Sequence, residues 1–295
     1  MESKLKFGII NNGDIMIKAI ATDLDGTLFY PKRRFRLISS ANREFIKKSA
    51  ESGKEIILVT GRNLYVPKKV NKKFALQKNI SVVACNGARV IHNGEVVYEK
   101  AISTEKAQRL YDFLMKRKEV KTLMLFTDRH HMFVDSSGLT LPFRFIGWLG
   151  MSLQGAYFEP FKLGKKKTLK IIQDPNVKIY KIMPWFGLGQ KGIDTARRMI
   201  EEFKKEFADD FDMFFSGAAV EIMEKGTDKA ESLKKLLDIC SISYDEVAVV
   251  GDSGNDIPLF ENFENSFVMA QAPEEVKQKA KVRLKSFDEL SSYIK

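Results

Sequence analysis

Only two cysteines occur in the 295 residues, Cys85 and Cys240, both in apolar contexts and without framework spacing. That excludes a disulfide-stapled secreted domain and leads us to expect a reducing compartment, with both thiols in the core. No run of about eighteen apolar residues is present, so the sequence contains no membrane-spanning helix. The start, Met1-Glu2-Ser3-Lys4-Leu5-Lys6, lacks the long apolar segment of a secretory signal, and a cytoplasmic protein is the expectation. Histidine is scarce, with three residues. The pair His130-His131 has neither a helical i, i+4 spacing nor a cysteine close by in sequence, which argues against zinc there. Repeats and low-complexity linkers are missing as well, which removes solenoid arrays from consideration.

A hydrophobic content of 44% over this length is enough for a large core, and two units are expected. The formal net charge of +11 suggests an anionic partner: a nucleic acid, an acidic membrane surface or a phosphorylated small molecule. Charge alone does not choose among them. The stretch Lys165-Lys166-Lys167 could steer such a partner, but it reads more simply as a solvated face.

The sequence pattern is that of an open parallel α/β sheet. The apolar run Ile17-Lys18-Ala19-Ile20-Ala21 forms a first strand, and residues 1–15 ahead of it read as an extension before a start at Met16. Ser39 or Ser40 can cap a helix running to about Ser52, with Ala41, Phe45, Ile46 and Ser49 at helical spacing and Gly53 as its stop. Glu55 to Val59 and Ile80 to Ala84 are further strands. An Asn93-Gly94 hairpin follows and opens an inserted α/β domain over 89–215, rich in aromatic residues from Phe143 to Phe158 that are expected to fill its core. The first domain, 1–88, resumes at 216–295 with Ala219 to Met223, a helix near Asp228 and the strand Val247 to Val250.

The first strand ends in Asp23-Leu24-Asp25-Gly26-Thr27, which places two carboxylates at a strand's C-terminal edge, where they can face one pocket. Such acids repel each other and lose hydration, so folding alone would not select them. Phosphoryl transfer uses such a pair, one acid attacking phosphorus and the other handling protons. An Asx-type turn would also account for Asp25-Gly26 taken alone. Gly251-Asp252-Ser253-Gly254-Asn255-Asp256 is a second acidic strand end, suited to Mg²⁺, although a plain loop of turn formers is the competing reading. Lys229, near a helix start, opposes the helix dipole and would be well placed if it faced a phosphate; a solvated lysine is the alternative. Thr60 and Gly61 could hold phosphate oxygens, and Asn255 could donate a further hydrogen bond.

Together, Asp23 to Thr27, Thr60-Gly61-Arg62, Lys229 and Gly251 to Asp256 resemble, in order and spacing, the four motifs of haloacid dehalogenase superfamily phosphatases. The insertion entered through Asn86-Gly87-Ala88 is similar to the large α/β cap of the Cof-type branch, and the resemblance covers residues 16–280. It implies a Rossmann-like core with an inserted cap that closes over a small phosphorylated metabolite, with sugar phosphates the first guess. It implies further that Asp23 is the nucleophile and a Mg²⁺ ligand. Asp25 would be the general acid and base, with its carbonyl on the metal, Asp252 a third protein ligand and Asp256 a support. Leu24 (through its amide), Thr60, Gly61, Lys229 and Asn255 would surround the phosphate. Departures occur at Ala230, where glycine is usual, at Gln271, where asparagine is usual, and in Ser286 to Leu290. A phosphomutase with the same aspartyl-phosphate chemistry, and a phosphate-sensing or nucleic-acid-binding protein, are the alternative readings.

Overall fold

The computed structural model describes residues 16–31, 38–74, 76, 80–129, 131–145 and 159–295. The chain divides into two compact units, one of 1–60, 70–97 and 229–295 and the other of 61–69 and 98–228. Residues 1–15, His130, Trp148, Tyr157 and Phe158 lie outside the described residues.

The first unit is built on an eight-stranded sheet. Its strands are β1 (Ala19–Thr22), β2 (Glu55–Val59), β3 (Ser81–Ala84), β4 (Arg89–His92), β5 (Glu95–Glu99), β12 (Val247–Gly251), β13 (Asn265–Met269) and β14 (Val282–Leu284). The spatial order is β14-β13-β12-β1-β2-β3-β4-β5. The pairs from β14 through to β3 are parallel, and β3 with β4 is antiparallel. β1, β2, β3, β12 and β13 are buried along their whole length, which is why they read as continuous apolar runs rather than alternating ones. The order reverses between β1 and β12, and their carboxyl ends carry Asp23 and Asp252. A doubly wound sheet places its ligand site at such a switch point.

Helix α1 (Ser40–Glu51) begins where expected, because Ser39 Oγ accepts from the Asn42 amide at 3.0 Å, and it stops at Gly53, which has φ 90°. Its inward face uses Asn42, Ile46 and Ser49, whereas Ala41 is exposed. Asn42 Nδ2 donates to the carbonyls of Leu28 (3.1 Å) and Tyr30 (3.0 Å), fastening α1 to the turn that follows β1. Helix α2 (Tyr65–Phe74) follows β2.

The second unit carries a six-stranded sheet. It consists of β6 (Thr122–Thr127), β7 (Met132–Asp135), β8 (Phe161–Leu163), β9 (Ile179–Trp185), β10 (Phe211–Ser216) and β11 (Ala219–Glu224) in the order β10-β11-β9-β6-β7-β8. Helices α3 (Thr104–Met115), α4 (Lys165–Ile172) and α5 (Gly189–Phe207) contribute to its core, where Phe203, Phe207 and Phe211 are buried. Lys165, Lys166 and Lys167 are exposed at the start of α4, which matches the solvated reading. Phe143 and Phe145 are also exposed, contrary to the expectation that the aromatic run fills the core; Phe186 does so instead.

The boundaries of the compact units fall at Val97/Tyr98 and Asp228/Lys229 rather than at 88/89 and 215/216. Two pairings account for the shift. Strand β4 pairs with β3, as Val82 with Ile91, so the Asn93-Gly94 hairpin extends the first sheet. Its turn residues have φ 51° and 86°, the positive values of a type I′ turn. Strand β11, expected to resume the first domain, pairs instead with β10 and β9 in the second sheet.

The second unit also buries charge. Lys181 is 2% exposed and bonds Glu221 at 2.9 Å and the Gly61 carbonyl at 2.5 Å. Glu159 is buried too. Burial pushes its carboxyl up to about 7, although the charges of Arg62 and Lys181 and the amides of Asn63 and Val66 pull it down. A carboxyl raised on folding binds more protons folded than unfolded, so it lowers stability as pH rises from about 4.5 to 7. Glu159→Gln removes that cost. We expect its melting temperature to exceed the parent's at pH 8, by the equivalent of up to about 3 kcal/mol, and to match it near pH 4. Melting curves across pH would show this, and an advantage independent of pH would refute it.

Candidate active site

The catalytic candidates gather at the carboxyl ends of β1 and β12 and at the start of α6 (Lys229–Cys240). β1 delivers Asp23, whose amide donates to the Val250 carbonyl at 2.9 Å, so the sheet ladder runs right up to the acid. The chain then turns through Leu24–Leu28, with Asp25 extended and Gly26 at φ 89°. Gly26 is required twice over. Its φ lies in the left-handed region, and a Cβ there would stand 2.1 Å from Asp252 Oδ2. Gly26→Ala must therefore move either the turn or Asp252. We expect at least a 100-fold loss of activity with a stability cost of about 1–3 kcal/mol, read from kinetics and calorimetry.

Lys229 is completely buried and is not a solvated lysine. Its ammonium donates to Asp23 Oδ1 at 2.9 Å and Asp256 Oδ1 at 2.6 Å, and reaches Asn255 Oδ1 at 3.4 Å. Burial alone would lower its pKa, but the charges and hydrogen bonds of Asp23 and Asp256 outweigh that and raise it, so the lysine is charged.

Asp256 is committed on both oxygens. While Oδ1 takes the lysine, Oδ2 accepts from the amides of Asp252 and Ser253, each at 3.0 Å, and thereby shapes the loop after β12. Gly251 makes room for it, since a Cβ there would lie 2.4 Å from Asp256 Cγ. Asp252 receives the Thr27 hydroxyl at 3.0 Å. This hydrogen bond ties the turn after β1 to the second acidic loop. Burial, followed by repulsion from Asp256, pushes the Asp252 carboxyl up to about 7, while Thr27 and Lys229 pull the other way. Asp23 is also raised well above the usual range, chiefly by burial, with Lys229 opposing and the other acids reinforcing.

Carboxylate oxygens of Asp23, Asp252 and Asp256 all lie within 4.8 Å of one another. Three crowded acids with one lysine between them lack positive charge. An all-oxygen donor set of this kind fits a hard divalent cation such as Mg²⁺. Asp23 and Asp252 are the better ligands, since Asp256 is already engaged by Lys229 and two amides.

The remaining motif residues also have definite places. Leu24 is buried in the turn after β1. Thr60, also buried, continues the sheet by donating its amide to Val83, and its carbonyl accepts from the Asn86 amide. Gly61 is the next residue in the chain and begins a segment of the second unit. Asn255 donates through Nδ2 to Asn86 Oδ1 at 3.1 Å and accepts from Ser253 Oγ at 2.6 Å.

Three contributors were missed from sequence. Asn86 sits at φ 55° after β3 and orients Asn255. Ser253 bonds both Asn255 and Asp256. Gln271 donates to the Gly26 carbonyl at 2.6 Å, so the residue that departs from the family's usual asparagine still reaches the catalytic turn. Each carried a local signal, Asn86 as an Asn-Gly strand end, Ser253 inside the second acidic loop and Gln271 as a departure from the family pattern, but none of these signals named its partner.

Residues 20–292 match the family model of haloacid dehalogenase-like hydrolases. The chain belongs to this family. It is 26% identical over 288 residues to a Bacillus subtilis 5-amino-6-(5-phospho-D-ribitylamino)uracil phosphatase, covering 92% of this chain and 94% of the relative. It is 25% identical to a phosphoglycolate phosphatase of Thermoplasma acidophilum, covering 83% of this chain and 82% of that one. A solved HAD/COF-like hydrolase from Plasmodium vivax superposes with a TM-score of 0.75 at 26% identity, over 92% of this chain and 91% of that one. Family and relatives make this haloacid dehalogenase-like hydrolase an enzyme that cleaves phosphoric monoesters, as its motifs imply. Among the described residues, no helix is long and apolar enough to cross a membrane.

Proposed function

We propose that this hydrolase is a Mg²⁺-dependent phosphatase of small metabolites that works through a phospho-aspartate on Asp23. The observation that carries the reading is Lys229, buried and charged between Asp23 and Asp256 beside Asp252. A buried cation next to a buried nucleophilic carboxylate offsets the repulsion that an incoming phosphate dianion would meet.

With one Asp23 oxygen held by Lys229, the other attacks phosphorus, and Asp25 gives a proton to the departing alcohol. Asp25 then takes a proton from the water that hydrolyses phospho-Asp23, releasing phosphate. Lys229, the Leu24 and Gly61 amides, the Thr60 hydroxyl and Asn255 bind the phosphate oxygens, while Asp256 holds Lys229 and the loop bearing Asp252. Asp23, Asp252 and the Asp25 carbonyl would hold Mg²⁺, which would neutralise phosphate charge and help keep Asp23 ionised.

The two curated relatives are named for different phosphorylated metabolites, so the substrate is not fixed by the shared motifs. Sugar phosphates are the first class to test, with selectivity supplied by the inserted unit. A panel of phosphate monoesters assayed for free phosphate with Mg²⁺ tests the reading. Accumulating phosphate separates hydrolysis from a mutase reaction. No hydrolysis across the panel, together with salt-sensitive RNA binding, would replace this reading with a binding function.

Mg²⁺ should also stabilise the fold in a pH-dependent way. Asp252 and Asp23 are raised on folding, so the metal-free enzyme loses stability as pH rises from about 4 toward 7. A cation offsets that loss. The melting-temperature gain on adding Mg²⁺ should therefore be larger at pH 8 than at pH 5, and an equal gain at both would argue against these ligands.

A further inference from the structure

A second cluster of ligand-type side chains lies at the opposite edge of the first unit's sheet. Glu55 is the first residue of β2, Ser81 the first of β3, His92 the last of β4, and Cys240 the last of α6. Because β4 runs antiparallel to β3, its end lies beside the starts of β2 and β3. The five residues of β2 separate this edge from Thr60, about 16 Å at strand rise. The cluster is therefore independent of the catalytic acids.

Its geometry is that of a metal site. Glu55 Oε1 is 3.8 Å from His92 Nδ1, and Cys240 Sγ is 3.7 Å from the same nitrogen. One ligand atom from each of Glu55, His92 and Cys240 falls within 4.8 Å of the others. A tetrahedral zinc ion, with bonds of about 2.3 Å to sulfur and 2.0–2.1 Å to nitrogen and oxygen, needs its ligand atoms roughly 3.3–3.6 Å apart. The two distances from His92 Nδ1 need only a few tenths of an ångström of contraction, and drawing Glu55 and Cys240 together from within 4.8 Å would close the site. We propose that Glu55, His92 and Cys240 bind one zinc ion, with water in the fourth position.

The hydrogen-bond relay of this cluster accounts for only part of the arrangement. Ser81 Oγ bonds Glu55 Oε1 at 2.7 Å and His92 Nδ1 at 2.9 Å, a relay that is satisfied without metal. It does not need Cys240, whose sulfur faces the same ring nitrogen. Cys240 was expected to be a core residue like Cys85, yet it is partly exposed while Cys85 is buried. At the C-terminus of a twelve-residue helix, the dipole disfavours a free thiolate and favours a bound cation.

The chemistry is complementary. Thiolate, carboxylate and neutral imidazole balance the two positive charges of zinc, and the sulfur and nitrogen donors select it over Mg²⁺. Binding would release the thiol proton, while the imidazole keeps its single proton on Nε2 and Ser81 turns its hydroxyl fully toward Glu55. Asn93 lies 2.9 Å from His92 Nε2; rotating its amide would present Oδ1 to Nε2–H, the tautomer that leaves Nδ1 free to ligate. The side chains of His92 and Glu55 are 15% and 8% exposed, which leaves an entry route.

The test uses the full chain in saturating Mg²⁺, titrated with Co²⁺ as a spectroscopic probe and then with Zn²⁺. One equivalent of Co²⁺ should give a thiolate-to-cobalt charge-transfer band that zinc abolishes, and zinc should raise the melting temperature. Cys240→Ser and His92→Gln should each weaken zinc at least about 100-fold, since the loss of an outer-shell partner alone costs 10–100-fold. Asp252→Asn, in the catalytic cluster, should keep the band. No band in the parent, a band surviving Cys240→Ser, or a band lost in Asp252→Asn would each overturn the site.

Discussion

Asp23→Asn is expected to lower kcat by at least about 10⁴-fold while leaving the fold intact. The substitution is nearly isosteric, and the amide oxygen can still accept from Lys229, which donates to Asp23 Oδ1 at 2.9 Å in the parent. What is lost is the anionic oxygen proposed to attack phosphorus, and the neighbouring acids Asp252 and Asp256 are poorly placed to replace it. Asp256 is held by Lys229 and the amides of Asp252 and Ser253, and Asp252 is tied to Thr27. Stability should move the other way. The Asp23 carboxyl is raised by burial, so the metal-free parent is destabilised as pH climbs above the unfolded carboxyl's titration. Asparagine carries no such cost, so the variant's melting temperature without Mg²⁺ should equal or exceed the parent's at neutral pH. Phosphate-release kinetics and calorimetry give both readouts, and activity within tenfold of the parent would rule out a covalent Asp23 intermediate. Asp25→Asn should also be severely impaired, because both half-reactions of the proposed mechanism use its proton.

The contrast between Asp23 and Asn86 shows what the sequence could reveal. Asp23, Thr60 and Asp252 each follow a short apolar strand, and a parallel sheet brings such ends together whatever lies between them. Lys229 opens a helix, where a buried cation is unusual enough to notice. Asn86 and Gln271 act through contacts 169 and 245 residues away in sequence, and no local pattern encodes a partner at that distance. Strand partners were hidden for a similar reason. Apolar content marks Ala219–Glu224 as a buried strand, but burial is the same in either sheet. What assigns it to the second sheet is its ladder with Phe211–Ser216, and that strand, with its mixed buried and partly exposed residues, did not stand out. The Asn93-Gly94 hairpin was read correctly as a turn and placed in the wrong unit, because turn chemistry specifies the two strands it joins and not the sheet they extend.

Lys229→Met tests whether one residue serves both the fold and the chemistry. Methionine roughly keeps the volume but removes the charge and the donors, leaving Asp23 and Asp256 buried and facing each other without a cation. Removing one partner of a buried ion pair costs about 3–5 kcal/mol, which here should appear as a clear fall in melting temperature. The pH dependence identifies the cause. Without Lys229 the strongest influence lowering the Asp23 pKa is gone, so its folded value rises further and the deficit is largest at neutral pH. The deficit should shrink as pH falls toward 4 and the acids take up protons. At the alkaline end, the parent's advantage should persist until the raised Lys229 pKa is passed. Activity should fall at least about 10³-fold, since a phosphate dianion would then approach these acids without the buried ammonium that offsets their charge. Adding Asp256→Asn to Lys229→Met relieves the remaining repulsion, and the carboxamide oxygen introduced there can still accept from the amides of Asp252 and Ser253. The double variant should recover part of the lost stability and none of the activity. If activity returned with stability, Lys229 would be a scaffold residue only; stability unchanged in Lys229→Met would mean that the buried acids are not held apart by this lysine.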